Sequence, residues 1–276
     1  ECTNQKQADY LYKAVDARDL PCMADVESSM LYFCGQVAQQ NRVALTGECA
    51  DEIFGGYPWF HQPAALQRHH FPWSYQMDAR TALLRDDVLA ELRLEDYAQN
   101  AYNATIAATP RLDGENSLEA RRREISYLNV VWFMATLLNR MDRTSMYSGL
   151  EARVPFADHR ILEYVYNIPW EMKCRNGRTK SLLQETGRKL LPTDVLIPQK
   201  KSLPQKLMTL TYESLVASSS AWIFYLNPNS PILDIVDPKK VRIFLDTTIR
   251  LRPAMLAARC RSTDDCLPTA NQLLDD

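Results

Sequence analysis

The sequence is short of glycine, of histidine, of long apolar runs and of any surplus of one charge. Each shortage closes a class of function. Eight glycines stand against fifteen prolines, a balance that favours helices with sharp ends over an all-β chain built on tight turns. The four histidines, His61, His69, His70 and His159, have no metal-binding spacing. The 32 basic side chains nearly cancel the 34 acidic ones, leaving a net charge of -2. Neither nucleic acid nor an anionic membrane is therefore expected as a partner. The most apolar run, Val130 to Leu138, is less than half of the ~20 residues that a bilayer span needs, and it reads as a buried helix. Seven cysteines, at positions 2, 22, 34, 49, 174, 260 and 266, make an odd set without a CxxC pair. That argues against a secreted disulfide framework and for a cytoplasmic location. No charged-then-apolar leader is present, and a start on Glu1 rather than Met leads us to expect a piece of a longer protein.

What is present is 276 residues, 46% of them hydrophobic, enough chain for a real core. Ala24 to Gln40 carries Met30, Phe33, Cys34, Val37 and Ala38 at the three/four spacing of an amphipathic helix. Arg42 to Thr46 is a short apolar run before a glycine and reads as a buried strand of a parallel sheet. Leu94 to Ala108 is a helix closed by Pro110. Asn116 and Glu119 form a capping-box pattern that opens a long helix toward Leu138, apolar nearly all round after Ile125 and so expected in the interior. Asp158 caps a helix ending at Pro169. Leu182 to Leu191, Lys206 to Ala217 and Pro238 to Leu245 are shorter helices. The stretches 55–58 and 198–204 read as loops, where chemistry tends to sit. The rhythm is α/β and mostly helical.

The densest chemical signal is Thr46-Gly47-Glu48-Cys49-Ala50-Asp51-Glu52-Ile53-Phe54-Gly55-Gly56-Tyr57-Pro58. It places three carboxylates between two glycine turns just beyond a strand end, where α/β sheets bind ligands. Backbone N–H groups of Gly47, Glu48 and Cys49 at a helix start can face a phosphate. Asp51 suits Mg²⁺, which takes one or two carboxylates plus phosphate oxygens. Glu48 can accept a proton from an attacking amine. The plain alternative is that these acids only favour a helix N-terminus.

The motif resembles the signature of the asparagine synthetase family, in its ATP-dependent amide-forming domain. The likeness continues in order along residues 10 to 256. Pro21 to Ser29 is similar to the family's Pro-x-x-Ala-Asp-x-x-Ser stretch, and Arg140 to Met146 with Gly149 to His159 to its DRxSM and GLEARVPFxDH block. Lys180-Ser181-Leu182-Leu183 resembles its KxxLR helix start, and Lys200-Lys201-Ser202 its basic loop. The resemblance implies an α/β fold, the mostly helical part of an ATP-pyrophosphatase-like (adenine nucleotide alpha hydrolase-like) domain with a short parallel sheet. It would fill residues 1–276 as one partial domain.

The implied reaction joins aspartate to ammonia, derived from glutamine in a full-length protein. ATP and Mg²⁺ drive it through a β-aspartyl-adenylate, releasing AMP and pyrophosphate. Glu48 matches the family's general base, and Asp51 the acid that holds Mg²⁺ and pyrophosphate. Thr46 and Gly47 match positions lining the nucleotide, and Lys180 and Arg140 phosphate- or substrate-facing positions. The catalytic cation matches Lys201 if aligned on the following serine, and Lys200 if aligned on the preceding proline. A homodimer is left open.

Several departures qualify the likeness. Cys49 replaces the glycine usual after the base, Thr46 the usual serine, and Gln184 the arginine after KxxL. The family's serine-glycine-glycine-x-aspartate-serine phosphate loop is not found in these residues, nor is the N-terminal glutaminase domain, for which Cys2 is no substitute. Two alternatives stay open: a relative forming β-lactams or other amides, and a non-catalytic fragment. Among neighbouring charges, the plain alternative for Arg140, Asp142, Arg143, Glu151 and Arg153 is a structural ion-pair network behind the core helix, the reading preferred for Glu151 and Arg153. Arg121-Arg122-Arg123 reads as one exposed helix face.

Overall fold

A computed structural model describes residues 1–20, 24–74, 77–196 and 229–243. The chain divides into two compact units, one of residues 1–72 and 102–217, the other of residues 73–101 and 218–276. In the second unit, Leu84 and Val236 form an antiparallel bridge. Lys240 ties the two segments together by bonding the Leu84 carbonyl at 2.9 Å and the Asp86 carboxylate at 2.5 Å. Residues 238–243 are helical, as expected, while Lys206 to Ala217, Phe244 and Leu245 lie outside the described residues.

The first unit starts with three helices, Asn4–Asp9, Leu11–Arg18 and Ala24–Ala38. They close on Ala14, Ala17 and Leu31. In the third helix the stripe turns differently from the one read in the sequence. Leu31 and Cys34 are buried one turn apart, and Phe33, between them, faces out. Strand β1, Val43–Leu45, runs parallel to β2, Glu151–Arg153, pairing Val43 with Glu151 and Leu45 with Arg153. The sheet is parallel, as read, but β1 is not buried: Val43 is 41% and Leu45 74% exposed. Parallel strands are covered when helices lie on both faces of a sheet, and two three-residue strands are all the sheet that the described residues form.

Asn116 caps the long helix, its side chain accepting the Glu119 N–H at 3.0 Å. The return half of the capping box is missing, because the Glu119 carboxylate is engaged by Arg122 and by the Trp170 N–H. The helix runs Ser117–Leu128, passes through a π-turn at Asn129–Met134 and continues as Ala135–Tyr147. Ile125, Leu128, Met134 and Leu137 are buried, whereas Val131 and Trp132 are exposed. The wider turn inserts a shift in side-chain register, so the apolar run is not covered all round.

The arginine run is no solvated face. Arg121 bonds the Leu66 carbonyl, the Tyr102 hydroxyl and Glu124, and also the Arg68 carbonyl. Arg123, 8% exposed, holds both oxygens of Glu115 and the Asn167 side chain. A guanidinium is tolerated inside when its donors are met, and here backbone carbonyls and carboxylates meet them. Arg140, Arg143, Glu151 and Arg153 fall into three separate pairs rather than one network. Arg140 meets Glu48, Arg143 meets Asp19, and Glu151 meets Arg153 on the exposed strand.

Asp158 caps His159–Tyr166 through the Arg160 N–H at 2.9 Å. His159 itself is exposed. This helix and Ser181–Gly187 pack on the main core of Cys49, Ala50, Ile53, Phe54, Met134 and Val165. No helix among the described residues is long and apolar enough to cross a membrane.

Candidate active site

The Thr46 N–H donates to the Arg153 carbonyl and extends the β ladder by one bond. The chain then turns through Cys49, which sits in the left-handed region at φ 74°. Side chains with a Cβ strain there by about 1 kcal/mol, the reason a glycine suits the position. The five-residue helix Ala50–Phe54 follows, burying Ala50, Glu52, Ile53 and Phe54. Its partly exposed side carries Asp51, with Glu48 just before it.

Two cations from distant stretches meet these carboxylates. Arg140 Nη2, on the long helix, lies 3.2 Å from Glu48 Oε1, and both side chains are mostly buried. Lys180 Nζ lies 2.9 Å from Asp51 Oδ1. Lys180 is itself left-handed, at φ 55°, where it opens the Ser181–Gly187 helix. Thr46 Oγ1 accepts the Glu48 N–H at 3.3 Å. One of the three backbone donors read as facing a phosphate is therefore already engaged. Thr46, Gly47, Glu48, Asp51, Arg140 and Lys180 are thus gathered around one turn. Lys200 and Lys201 lie outside the described residues.

Gly56 explains how the Asp51 carboxylate is seated. Its N–H bonds the Asp51 carbonyl at 2.8 Å. A Cβ on Gly56 would collide with Asp51 Oδ1. Gly55, at φ 70°, faces the Trp170 ring so closely that a Cβ there would overlap it.

The third carboxylate takes another part. Glu52 is 1% exposed and accepts the Tyr57 O–H at 2.5 Å. Burial pushes the Glu52 carboxyl above its ordinary range, against the Tyr57 bond that pulls it down. Burial, then Glu52, raises the Tyr57 phenol. Tyr57 in turn stacks on Trp59 at 4.4 Å and meets Phe133 edge-on. Sequence reasoning missed this Glu52–Tyr57 bolt. The signal was present, since an acid five residues before a tyrosine across a Gly-Gly turn can fold back onto it.

The Cys49 thiol is pushed up to about 12 by burial and by the nearby Glu52 and Glu48 carboxylates, so it stays neutral beside the site. Among the described residues no three of His, Cys, Asp and Glu gather as a metal cage. Asp51 offers a single carboxylate, the kind of donor that Mg²⁺ takes alongside phosphate oxygens.

The family model for asparagine synthase matches residues 1–261. Glutamine-hydrolysing asparagine synthetase 3 of Bacillus subtilis is 49% identical over 197 residues, covering 71% of this chain and 32% of the relative. Asparagine synthetase 1 of the same organism is 26% identical over 215 residues, 66% of this chain and 34% of the relative. The Homo sapiens asparagine synthetase is 47% identical over 60 residues, 21% of this chain and 11% of the relative. The chain spans about a third of the length of the two Bacillus relatives.

Proposed function

Because the chain belongs to the asparagine synthase family, we propose that it forms the ATP-dependent part of a glutamine-hydrolysing asparagine synthetase. The reaction would convert aspartate, through its β-adenylate, and ammonia into asparagine. The observation that carries this reading is the meeting of Glu48 and Asp51 on one turn, each with a cation from a remote stretch.

Glu48 is the base that takes a proton from ammonia as it attacks. Arg140 holds its carboxylate in place. Asp51 is the carboxylate that would hold Mg²⁺, and Lys180 and Gly56 fix where it points. Mg²⁺, when bound, neutralises charge on the phosphates. Thr46 and Gly47 line the nucleotide. Lys201, or Lys200 in the other register, supplies the cation where negative charge builds up. Tyr57 is engaged by Glu52 and not by Glu48. A tyrosine paired with the base would have favoured a β-lactam-forming relative, so this arrangement favours asparagine. A cytoplasmic location fits the free thiols of Cys2, Cys34, Cys49 and Cys174.

The test replaces the matching segment of the Bacillus asparagine synthetase 3 with this chain and assays the chimera. Pyrophosphate release dependent on aspartate, together with asparagine formation, is expected. In the Glu48→Ala chimera, pyrophosphate release should persist while asparagine output falls by roughly a hundred-fold or more. Full asparagine output from that variant would remove Glu48 as the base.

A further inference from the structure

Away from the Glu48 turn, the start of the long helix and the segment 166–173 enclose a pocket of about 260 Å³, room for a small organic molecule. Three cations line it, Arg122, Arg123 and Lys173, along with three acids, Asp113, Glu115 and Glu119. Their pairing is uneven. Arg123 is met by Glu115 at 2.8 Å, and Arg122 by Glu119 at 2.9 Å. Lys173 is 4% exposed, yet no carboxylate among the described residues lies within ion-pair distance of it. Its Nζ donates to one acceptor, the Tyr166 carbonyl, at 3.3 Å. An ammonium has three protons to place, and a buried charge without a counter-ion is costly.

We propose that this pocket binds a small monocarboxylate, with the carboxylate group seated on the Lys173 ammonium. The pairing selects the class. Among the described residues, Lys173 is the one lining cation with no acid at ion-pair distance, which leaves a place for one carboxylate. A phosphate dianion would bring twice that negative charge among Asp113, Glu115 and Glu119. The apolar wall of Ile168 and Trp170 suits the carbon part of the ligand. Asp113, exposed at the rim, can take an ammonium if the ligand is an amino acid. Burial and the nearby Arg123 lower Lys173 to about 8, against a smaller pull upward from Glu119.

The test is calorimetric titration of the intact chain with acetate, glycine and inorganic phosphate at constant ionic strength. Acetate or glycine should bind, and Lys173→Met should weaken that binding roughly ten-fold or more. Tighter glycine identifies an amino-acid carboxylate, and tighter acetate a simple acid; either supports the site. No binding of either, equal binding by Lys173→Met, or phosphate binding more tightly than both would overturn it. If Lys173→Met does not fold, lysine labelling by trinitrobenzenesulfonate decides the matter on the unaltered chain. Acetate, which has no amine to consume the reagent, should slow the labelling of Lys173 selectively, and the absence of protection overturns the proposal.

Discussion

The long helix carries arginines at both ends, and the two ends use them differently. Near its start, Arg121 and Arg123 are closed off: backbone carbonyls, Tyr102, Asn167, Glu115 and Glu124 take their donors. Near its far end, Arg140 makes one bond of 3.2 Å to Glu48, and its buried Nε has no protein partner. The pairing of Arg121 and Arg123 is met within the protein and holds the fold, although Arg122 between them, like Arg140, keeps a buried Nε without a partner. The far end keeps unspent bonding capacity beside two carboxylates, as a site that must receive a substrate requires. Completeness of pairing, more than the number of charges, separates Arg121 and Arg123 from Arg140.

The largest expected effect tests the closed end. Arg123→Ala leaves the mostly buried Glu115 carboxylate without its cation and should cost about 3–5 kcal/mol in urea unfolding. Arg140→Ala should cost clearly less stability while damaging chimera activity more. The reverse ranking would break the distinction between the two ends. Next is the open end. Lys201→Ala in the chimera should lower asparagine formation on the order of a hundred-fold with unfolding unchanged; a greater loss from Lys200→Ala would move the register by one. Gly56→Ala tests whether the Asp51 carboxylate needs its seat. The added methyl meets Asp51, and about 1–3 kcal/mol of stability should be lost, with weaker Mg²⁺ dependence of pyrophosphate release.

The smallest effect concerns Glu52. Its carboxyl is raised in the folded chain, so the folded state holds more protons than the unfolded one. Stability should therefore fall as pH rises from the ordinary carboxyl range through the raised value. Glu52→Gln keeps an acceptor for Tyr57 and removes this slope. Its melting temperature relative to the parent should be higher at pH 8 than at pH 5. A difference that does not change with pH would show that Glu52 stays ionised throughout.

Much of the candidate site was legible because it is local: the Thr46–Pro58 motif places Glu48 and Asp51 side by side without knowledge of the rest of the chain. The caps at Asn116 and Asp158 were legible for the same reason. The partners Arg140 and Lys180 came from family likeness, since nothing near them in sequence says which carboxylate they meet. What failed depended on distant cover. Three consecutive arginines look solvated until the Leu66 and Arg68 carbonyls and Tyr102 are folded onto them. An apolar strand looks buried until the extent of its sheet is known. The π-turn at Asn129–Met134 leaves no mark in apolar periodicity.

The parallel pairing of β1 with β2 also sets an order in time. Parallel strands wait for long chain segments to close, and Arg140 follows Glu48 by 92 residues. At 5–20 residues per second, a ribosome needs roughly 5–20 s to make that stretch. During this interval the nascent motif has its acids but neither Arg140 nor the β2 strand. A chaperone that shields Val43 and Leu45 in that window would act on the youngest form of the site, before its counter-charges exist.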